Sequence, residues 1–279
     1  MIVVTLYEMS PDISQTCCAI KNQILENEFT VLIYDNTPVS TNPIIDPWIY
    51  FHDHNNGGVS AAYNHAILES KKHGCEWLLI LDQDTNLPDN YLNLMLKDIK
   101  KIQEEESLKN VVAIAPHVEM NGFQISPFIP SRFRNFPLKL DQGVSPSNMA
   151  AINSGVCVRI AFIESIGGYP KKFWLDFSDH WFFFMVYKNR KEVYISGLSI
   201  EHDLSIRSAK SGMSIFRYKN YLSAEQTFTN EYLPFSWNVF LEVKLIFRVL
   251  KGFFFFKDKR FLMETIRAAF HQILFLFKL

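Results

Sequence analysis

Strand-like and helix-like stretches alternate through the first third of the sequence, and this alternation limits the folds open to the chain. Four stretches contain short apolar runs of the kind found in buried strands: 2–7, 30–38, 48–58 and 77–84. Three others have helical spacing: 13–28, 59–74 and about 89–105. Strands separated by helices predict an α/β fold, a mostly parallel sheet flanked by helices. In the first helix the apolar stripe would consist of Ile13, Ile20 and Ile24.

Acidic residues and one glycine-containing loop occur where three of these strands end. Asp35 ends TVLIYD, the loop HNNGG (54–58) follows the third strand, and Asp82 and Asp84 end WLLILDQD. Ligands of open parallel sheets bind outside the carboxyl ends of the strands. Three polar features at one edge of the sheet therefore favour a ligand site.

The triplet Asp82-Gln83-Asp84 has two interpretations. It could be a solvated turn after a strand, or a site for a hard cation such as Mg²⁺ or Mn²⁺. Residues two apart in a strand point the same way, so the two carboxylates would face one ion. Its place after the fourth strand, beside other polar loops, favours the cation site.

Asp35 and the glycine loop also leave alternatives open. Asp35 precedes Asn36 and is equally consistent with an Asx-turn and with a ligand of a nucleotide base or ribose. The loop enters a helix, and a helix N-terminus with Gly57 and Gly58 is suited to phosphate. It matches neither the P-loop nor the dinucleotide-binding pattern.

The second half of the chain has a less regular pattern of strand-like and helix-like segments. A strand is predicted at 111–116, a long irregular stretch at 117–150, and strand and helix segments at 151–203. Asp176 and Asp179 precede an apolar helical run; on a helix they would share a face, as a catalytic pair or as favourable acids of a first turn. His180 is a competing base. His202 follows a strand, and its role depends on whether the fold returns it to Asp84.

Composition excludes several classes of protein. The chain is 48% hydrophobic with a net charge of -1, so it folds around a core and lacks the basic surface of a nucleic-acid binder. The four cysteines suggest neither a zinc site nor a disulfide framework. The first residues do not resemble a signal peptide, and no apolar run has the length of a membrane span. A cytoplasmic protein, soluble or peripheral to a membrane, is expected.

The tail from 206 to 279 is helical in pattern and rich in Phe. From 236 onward eight Lys and Arg stand against three acids, an excess of five positive charges. GFFFFKDKRF (252–261) is compatible with a core-facing helix that has a basic edge. It is equally compatible with an interfacial segment that meets an anionic membrane surface.

Taken in order, these motifs resemble a family-2 glycosyltransferase of the A-type fold. The matching motifs are a strand-terminal Asp35, NGGxxxAxN at 56–64, LDQDT, NSG at 153–155, IGGY at 166–169, LDFSDH at 175–180 and EHD at 201–203. The resemblance covers roughly residues 1–205, and the DQD form with a later DxxD resembles the rhamnosyltransferase branch. It implies a catalytic domain at 1–205, with a donor half at 1–110 and an acceptor half at 111–205. A helical extension at 206–279 follows.

The resemblance also implies roles for individual residues. Asp35 would contact the base of the donor nucleotide, while Asp82 would lie near its ribose. Asn56, Gly58 and Asn64 would border the donor. Asp84, with Asp82 and His202, would hold Mn²⁺ or Mg²⁺ against the diphosphate. Asp179 aligns with the catalytic base, with Asp176 in reserve.

The activity so implied is inverting, metal-dependent transfer of L-rhamnose from dTDP-L-rhamnose to a saccharide acceptor, with a lipid-linked acceptor at the inner face of the membrane expected. The alternatives are a UDP-hexose or UDP-N-acetylhexosamine donor, or a non-catalytic nucleotide-sugar-binding protein of this fold. Trp181 and Met185 stand where the branch has Glu and Arg, and this departure supports the non-catalytic alternative.

Overall fold

A computed structural model describes residues 1–23, 29–39, 43, 45–133, 135–146, 148–202 and 213–277. It divides into two compact units. The first, the sheet unit, comprises Met1–Trp174 and Ser178–Asp203, and the second, the helical unit, comprises Leu175–Phe177 and Leu204–Leu279. The boundary predicted at 205/206 lies outside the described residues.

A ten-stranded sheet forms the centre of the sheet unit. Its strands are β1 (Ile2–Leu6), β2 (Val31–Asp35), β3 (Ile49–His52), β4 (Trp77–Asp82), β5 (Thr85–Asn86), β6 (Val111–Met120), β7 (Phe123–Ser126), β10 (Gly143–Val144), β11 (Cys157–Arg159) and β12 (Glu192–His202). The main order is β10-β12-β6-β11-β4-β1-β2-β3, with β5 on β12 and β7 on β6. Two further strands, β8 (Phe128–Ile129) and β9 (Phe136–Pro137), form a separate pair.

Helices cover the sheet: α1 (Gln15–Gln23), α2 (Gly58–Lys72), α3 (Tyr91–Glu104), α4 (Ile160–Ser165) and α5 (Ser178–Lys188). The core lies between the β-branched strands and the helices, with fully buried side chains such as Val4, Ile33 and Leu81 from the sheet and Ile20 and Tyr91 from the helices. Burial of such apolar side chains stabilises the fold by about 1.5–3 kcal/mol each.

The parallel strands bring the predicted polar ends to one edge, as expected. β1 pairs in parallel with both β2 and β4, placing Leu6 beside Asp35 and Thr5 beside Asp82. β3 continues the parallel arrangement, with His52 beside Asp35. The mixed, mostly parallel sheet predicted from the alternation of strands and helices is therefore confirmed.

Two expectations of local structure were wrong. The stretch 117–150 is not irregular throughout, because β6 continues to Met120 and turns at Asn121-Gly122 into β7. Both turn residues have positive φ, of 52° and 73°, as a tight hairpin requires. Ile13 is 69% exposed, since α1 begins only at Gln15, whereas Ile20 is fully buried; Ile24 lies outside the described residues.

The helical unit contains α6 (Ile215–Tyr232), α7 (Phe235–Phe255) and α8 (Lys259–Leu276). Its core includes Leu222, Leu245 and Ala268, one from each helix. Glu225 is buried, yet its carboxylate accepts hydrogen bonds from Lys244 Nζ at 2.7 Å and Arg248 NH1 at 2.9 Å. Within the described residues, no helix combines the length and apolar character needed to span a bilayer.

Candidate active site

The DQD triplet forms a turn that is held from the start of α1. β4 ends at Asp82, and Gln83 and Asp84 lie in a turn before β5. Ser14 Oγ donates to the Gln83 carbonyl at 2.7 Å, and Thr16 Oγ1 donates to the Asp82 carbonyl at 2.6 Å. The expectation that strand alternation aligns the two carboxylates was wrong, because only Asp82 belongs to the strand. The triplet instead has a fixed backbone at the carboxyl end of β4.

The end of β12 returns to this turn. Thr85 pairs antiparallel with His202, and Asn86 pairs with Glu201. The fold therefore brings the backbone of His202 beside the DQD turn, although positions 84 and 202 are 118 apart in the sequence. The side chain of His202 lies outside the described residues.

Asp35 forms the predicted Asx-turn and a second contact. Its Oδ1 accepts from the backbone N–H of Thr37 at 2.8 Å, and its Oδ2 accepts from the Tyr50 hydroxyl at 2.6 Å. The residue is 6% exposed. The carboxylate is thus held rigidly at the end of β2, at the edge where a donor base is expected.

The start of α2 is occupied by protein groups and does not offer the phosphate site suggested by its glycines. Gly57 N donates to Asp53 Oδ2, Gly58 N to Asn36 Oδ1, and Val59 N to the Trp174 carbonyl at 2.8 Å. These bonds use backbone donors that a phosphate would need. The prediction of a phosphate site at this helix end is corrected accordingly.

Asn56 and Gly58 shape the same loop around Trp174. The carbonyl of Asn56 accepts from Trp174 Nε1 at 2.7 Å. Gly58 has φ of 75°, and a Cβ there would lie 2.1 Å from the Trp174 carbonyl oxygen. Both residues join the loop to the segment before α5. Whether they also border a donor stays a prediction.

Asn64 has a clear structural role. Its Nδ2 donates to the Tyr169 carbonyl at 2.7 Å, and its Oδ1 accepts from the Tyr169 N–H at 2.8 Å. Its amide therefore links α2 to the IGGY loop. The predicted donor contact of Asn64 remains untested.

Asp179 lies in the first turn of α5 and is ionised at neutral pH. Burial acts to raise the pKa of its carboxyl, but the charge of His180 and hydrogen bonds from that residue outweigh burial and hold the pKa below its usual range. These bonds run from His180 N at 2.7 Å and from Nδ1 at 2.9 Å. His180, named from the sequence as a rival base, thus supports Asp179.

Tyr63 is a buried tyrosine of α2 that is affected by the charges of both Asp82 and Asp179, and no pattern in the sequence singled it out. The side chain is 1% exposed. Burial raises the pKa of its hydroxyl well above the usual value, and the charges of Asp82, Tyr169 and Asp179 raise it further. Asp82 and Asp179, 97 positions apart in the sequence, therefore act on the same buried hydroxyl.

The family model described as "Glycosyl transferase family 2" matches residues 1–155, more than half of the 279 residues. The chain belongs to glycosyl transferase family 2. The matched region of this glycosyltransferase contains the polar edge of the sheet, whereas Asp179 and His202 lie beyond it. No curated protein shows significant sequence similarity to the chain.

Crystal structures of TarS from S. aureus share the fold of the glycosyltransferase. TarS 1–349 in complex with UDP-GlcNAc matches with a TM-score of 0.57 at 16% identity, covering 99% of this chain and 81% of TarS 1–349. The UDP complex gives 0.51 at 14% identity, covering 99% and 82%. A longer TarS chain gives 0.54 at 12% identity over 97% of this chain, which spans 53% of that protein. At these identities the likeness establishes the A-type fold alone.

Asp176 differs from Asp179 in its surroundings. Helix α5 of the glycosyltransferase begins at Ser178, and Phe177 before it has φ of 68°. Asp176 is therefore not on a helix with Asp179, and the predicted shared face was wrong. Its side chain belongs to the helical unit, where Arg217 NH2 lies 3.8 Å from its Oδ1.

The side chains proposed as metal ligands in the glycosyltransferase are too few to complete the coordination shell of an ion by themselves. Among the side chains that the structure describes, no group of three or more His, Cys, Asp and Glu residues is arranged to hold an ion. Asp82 and Asp84 nevertheless supply hard oxygen donors within one turn. Mg²⁺ commonly takes one or two carboxylates and completes its shell with waters and substrate phosphates, so this donor set fits such an ion.

Proposed function

We propose that this family-2 glycosyltransferase is an inverting enzyme that transfers L-rhamnose from dTDP-L-rhamnose to a saccharide acceptor. The observation that carries the proposal is that the adjacent residues Asn153 and Ser154 bond to Ser178, directly before Asp179, and to the backbone N–H of Asp82. One carboxylate ends a central strand, where nucleotide ligands bind in such sheets, and the other begins a helix of the same unit. This link supports the proposal that Asp82 contacts the donor and that Asp179 is the base.

Asp179 is the proposed general base. Because its pKa is held low, it is ionised throughout the neutral range and can accept a proton. It removes the proton of an acceptor hydroxyl, whose oxygen forms the new bond to the anomeric carbon as the bond to the nucleotide diphosphate breaks. Attack opposite the leaving group inverts the configuration. A positioned base of this kind contributes about 10²–10⁴-fold to the rate.

Asp84, Asp82 and His202 are the proposed holders of Mn²⁺ or Mg²⁺. When bound, the ion supplies Lewis-acid stabilisation to the diphosphate as negative charge builds on it. Support comes from the two carboxylates of the DQD turn and from the pairing of Thr85 with His202. Asp35 is proposed to contact the donor base from the end of β2, with Asn56, Gly58 and Asn64 bordering the donor.

A UDP-sugar is the second candidate donor, and one observation favours it. TarS 1–349, which shares the fold, is seen in complex with UDP-GlcNAc. Thermal-shift titration of the full chain with dTDP-L-rhamnose and UDP-GlcNAc, each with and without Mn²⁺, tests the two. The proposal expects a metal-dependent shift with dTDP-L-rhamnose only. A rise in Tm with UDP-GlcNAc only would identify UDP-GlcNAc as the donor instead. A rise in Tm without any release of sugar would favour a non-catalytic binder.

The acceptor is proposed to be lipid-linked, with the enzyme peripheral to the inner face of the cell membrane. The supporting feature is the apolar outer stripe of α7, eight residues that are 42–85% exposed: Phe235, Val239, Val243, Ile246, Phe247, Leu250, Phe253 and Phe254. They recur at steps of three and four and so share one face of the helix. The opposite face is the buried one, with Leu241, Leu245 and Gly252.

A helix that is apolar on both faces requires cover on both. Beside the stripe lies Lys251; exposed Lys257 follows in the turn after α7, and exposed Lys259 and Arg260 begin α8. Large apolar side chains next to basic ones suit a layer of anionic lipid headgroups, because the rings enter the layer while the cations meet phosphate. We therefore assign the stripe to an anionic bilayer.

A further inference from the structure

The dipeptide Asn153-Ser154 contacts both elements that carry the proposed donor-binding and catalytic carboxylates. Ser154 Oγ accepts from the backbone N–H of Asp82 at 3.0 Å. Asn153 Nδ2 donates to Ser178 Oγ at 3.1 Å, and Ser178 is the first residue of α5, directly before Asp179. Two adjacent residues thus reach the end of β4 on one side and the start of α5 on the other.

The dipeptide is held firmly on both of its own sides. Before it, Ile152 N donates to the buried Ser126 Oγ at 3.0 Å. After it, Gly155 N donates to the Ile80 carbonyl at 2.8 Å, and the Gly155 carbonyl accepts from the Tyr91 hydroxyl at 2.7 Å. Asn153 is 6% exposed and Ser154 fully buried. A segment bound in this way is a stable reference point for its neighbours.

We infer that Asn153 and Ser154 are positioning residues that fix Asp82 and Asp179 relative to each other. The inference rests on the proposed function, in which Asp82 borders the donor and Asp179 takes the acceptor proton. Reacting groups held in the correct geometry lower the barrier substantially, and a misplacement of about 1 Å can cost roughly 10²-fold in rate. Buried side-chain bonds to the supporting elements provide that precision.

Ser154 acts on donor binding and Asn153 on the chemical step. Their substitutions should therefore change different quantities, the donor Kd and kcat. Ser154→Ala removes the acceptor for the Asp82 N–H, and we expect the Kd for dTDP-L-rhamnose to rise about three- to tenfold. Asn153→Ala removes the bond to the start of α5, and we expect kcat to fall at least tenfold with that Kd unchanged. Titration calorimetry gives the Kd, and release of dTDP with water as acceptor gives kcat.

A double-mutant cycle isolates the Asn153–Ser178 bond. Asn153→Ala, Ser178→Ala and the double variant all remove the Asn153–Ser178 bond, and Asn153→Ala also removes the hydrogen bond between Asn153 and Tyr63. Asn153→Ala should therefore lower kcat at least as much as Ser178→Ala does, and the double variant should lower it no further than Asn153→Ala alone. Ser196→Ala is the matched control, because it also removes a buried serine that accepts from a backbone N–H, that of Leu198, and it makes no contact with the dipeptide. The control should lower Tm while keeping kcat and Kd near those of the wild type.

The inference is overturned if Asn153→Ala and Ser178→Ala keep the wild-type kcat, or if their effects on kcat add. It is also overturned if all the variants and the control lose kcat and donor affinity together. Should Ser154→Ala fail to fold, the Asn153–Ser178 cycle still decides. Activity in Asp179→Asn would refute the base itself. An inactive Asp179→Asn beside a fully active Asn153→Ala would instead leave the base in place and refute only the positioning role.

Discussion

Asn64 binds the backbone of Tyr169 with both ends of its side-chain amide. The bonds are 2.7 Å from Nδ2 to the carbonyl and 2.8 Å from the N–H to Oδ1, across 105 positions of sequence. Such a pair mimics one rung of a β-ladder between a helix and a loop. The Tyr169 ring in turn packs edge-on against Tyr63 at 5.0 Å between centroids. The amide therefore helps to place the tyrosine on which the two carboxylates act.

We expect Asn64→Ala to destabilise the protein by about 2 kcal/mol or more, because it leaves two backbone groups of Tyr169 without partners. Asn64→Asp keeps the acceptor but loses the donor, so its stability should lie between those of the wild type and Asn64→Ala. Urea denaturation followed by circular dichroism measures the change. Asn93, exposed on α3, provides the control Asn93→Ala. Equal stability of Asn64→Ala and this control would contradict the structural role.

We expect Gly58→Ala to prevent normal packing of the α2 entry. The new Cβ would lie 2.1 Å from the Trp174 carbonyl oxygen, in addition to the strain of φ at 75°. Gly74→Ala is a matched control, since Gly74 has φ of 64° with no atom within 4 Å of the added Cβ. Its cost should be about 1 kcal/mol, from backbone strain alone. A comparable Tm for the two variants would show that the close approach of Trp174 is unimportant.

The sequence predicted the sheet because its signals are local. Strands such as WLLILD are apolar up to their last residue, and parallel pairing then placed Asp35 and Asp82 at one edge. The side-chain contacts of the site were not predictable in this way. Ser14 and Thr16 reach the DQD turn only through tertiary packing, and nothing near Tyr63 in the sequence indicates that the charges of two distant carboxylates raise its pKa. The dipeptide Asn121-Gly122 is typical of a hairpin turn, but the polar residues around it led to the prediction of an irregular stretch instead of strands β6 and β7.

We expect Asp179→Asn to reduce transfer at least 10²-fold with donor affinity nearly unchanged, because the amide cannot accept the acceptor proton. Asp176→Asn should keep most activity, since that carboxylate lies beside Arg217 in the helical unit. Both variants are nearly isosteric with the wild type, and calorimetric donor titration verifies that each still binds. Normal turnover in Asp179→Asn, with loss in Asp176→Asn, would reverse the assignment of the base.

We expect Phe247→Glu and Phe254→Glu to weaken binding to vesicles of equal parts phosphatidylglycerol and phosphatidylcholine at least tenfold in cosedimentation. Each removes one exposed aromatic ring from the outer stripe and adds a charge that anionic lipid repels. Phe123→Glu, at a 75% exposed position of β7, is the control and should bind as the wild type does.

Vesicles of phosphatidylcholine alone separate the apolar contribution from the electrostatic one, and wild-type binding to them should be weaker. Equal binding by all three variants would refute the assignment of the stripe to a bilayer. Concentration-dependent dimers of the wild type that Phe254→Glu dissociates, without any vesicle binding, would instead identify a second copy as the cover of the stripe.

Glu242 should make stability depend on pH in a direction opposite to that of most acids. It is 7% exposed on α7, and neither carboxylate oxygen has a hydrogen-bond partner among the described residues. Burial raises its pKa above the ordinary 4.5. Because the folded state then holds a proton that the unfolded state releases, the contribution of this group to stability is full below pH 4.5 and declines as pH rises through the folded pKa.

Glu242→Gln, which cannot ionise, should therefore raise Tm at pH 8 by about 2–4 °C and have a smaller effect at pH 5. Glu231→Gln, at an exposed position on α6, is the control for the substitution itself and should change Tm at pH 8 by no more than about 1 °C. A lower Tm for Glu242→Gln at pH 8 would mean that the ionised carboxylate is stabilised in the folded helical unit.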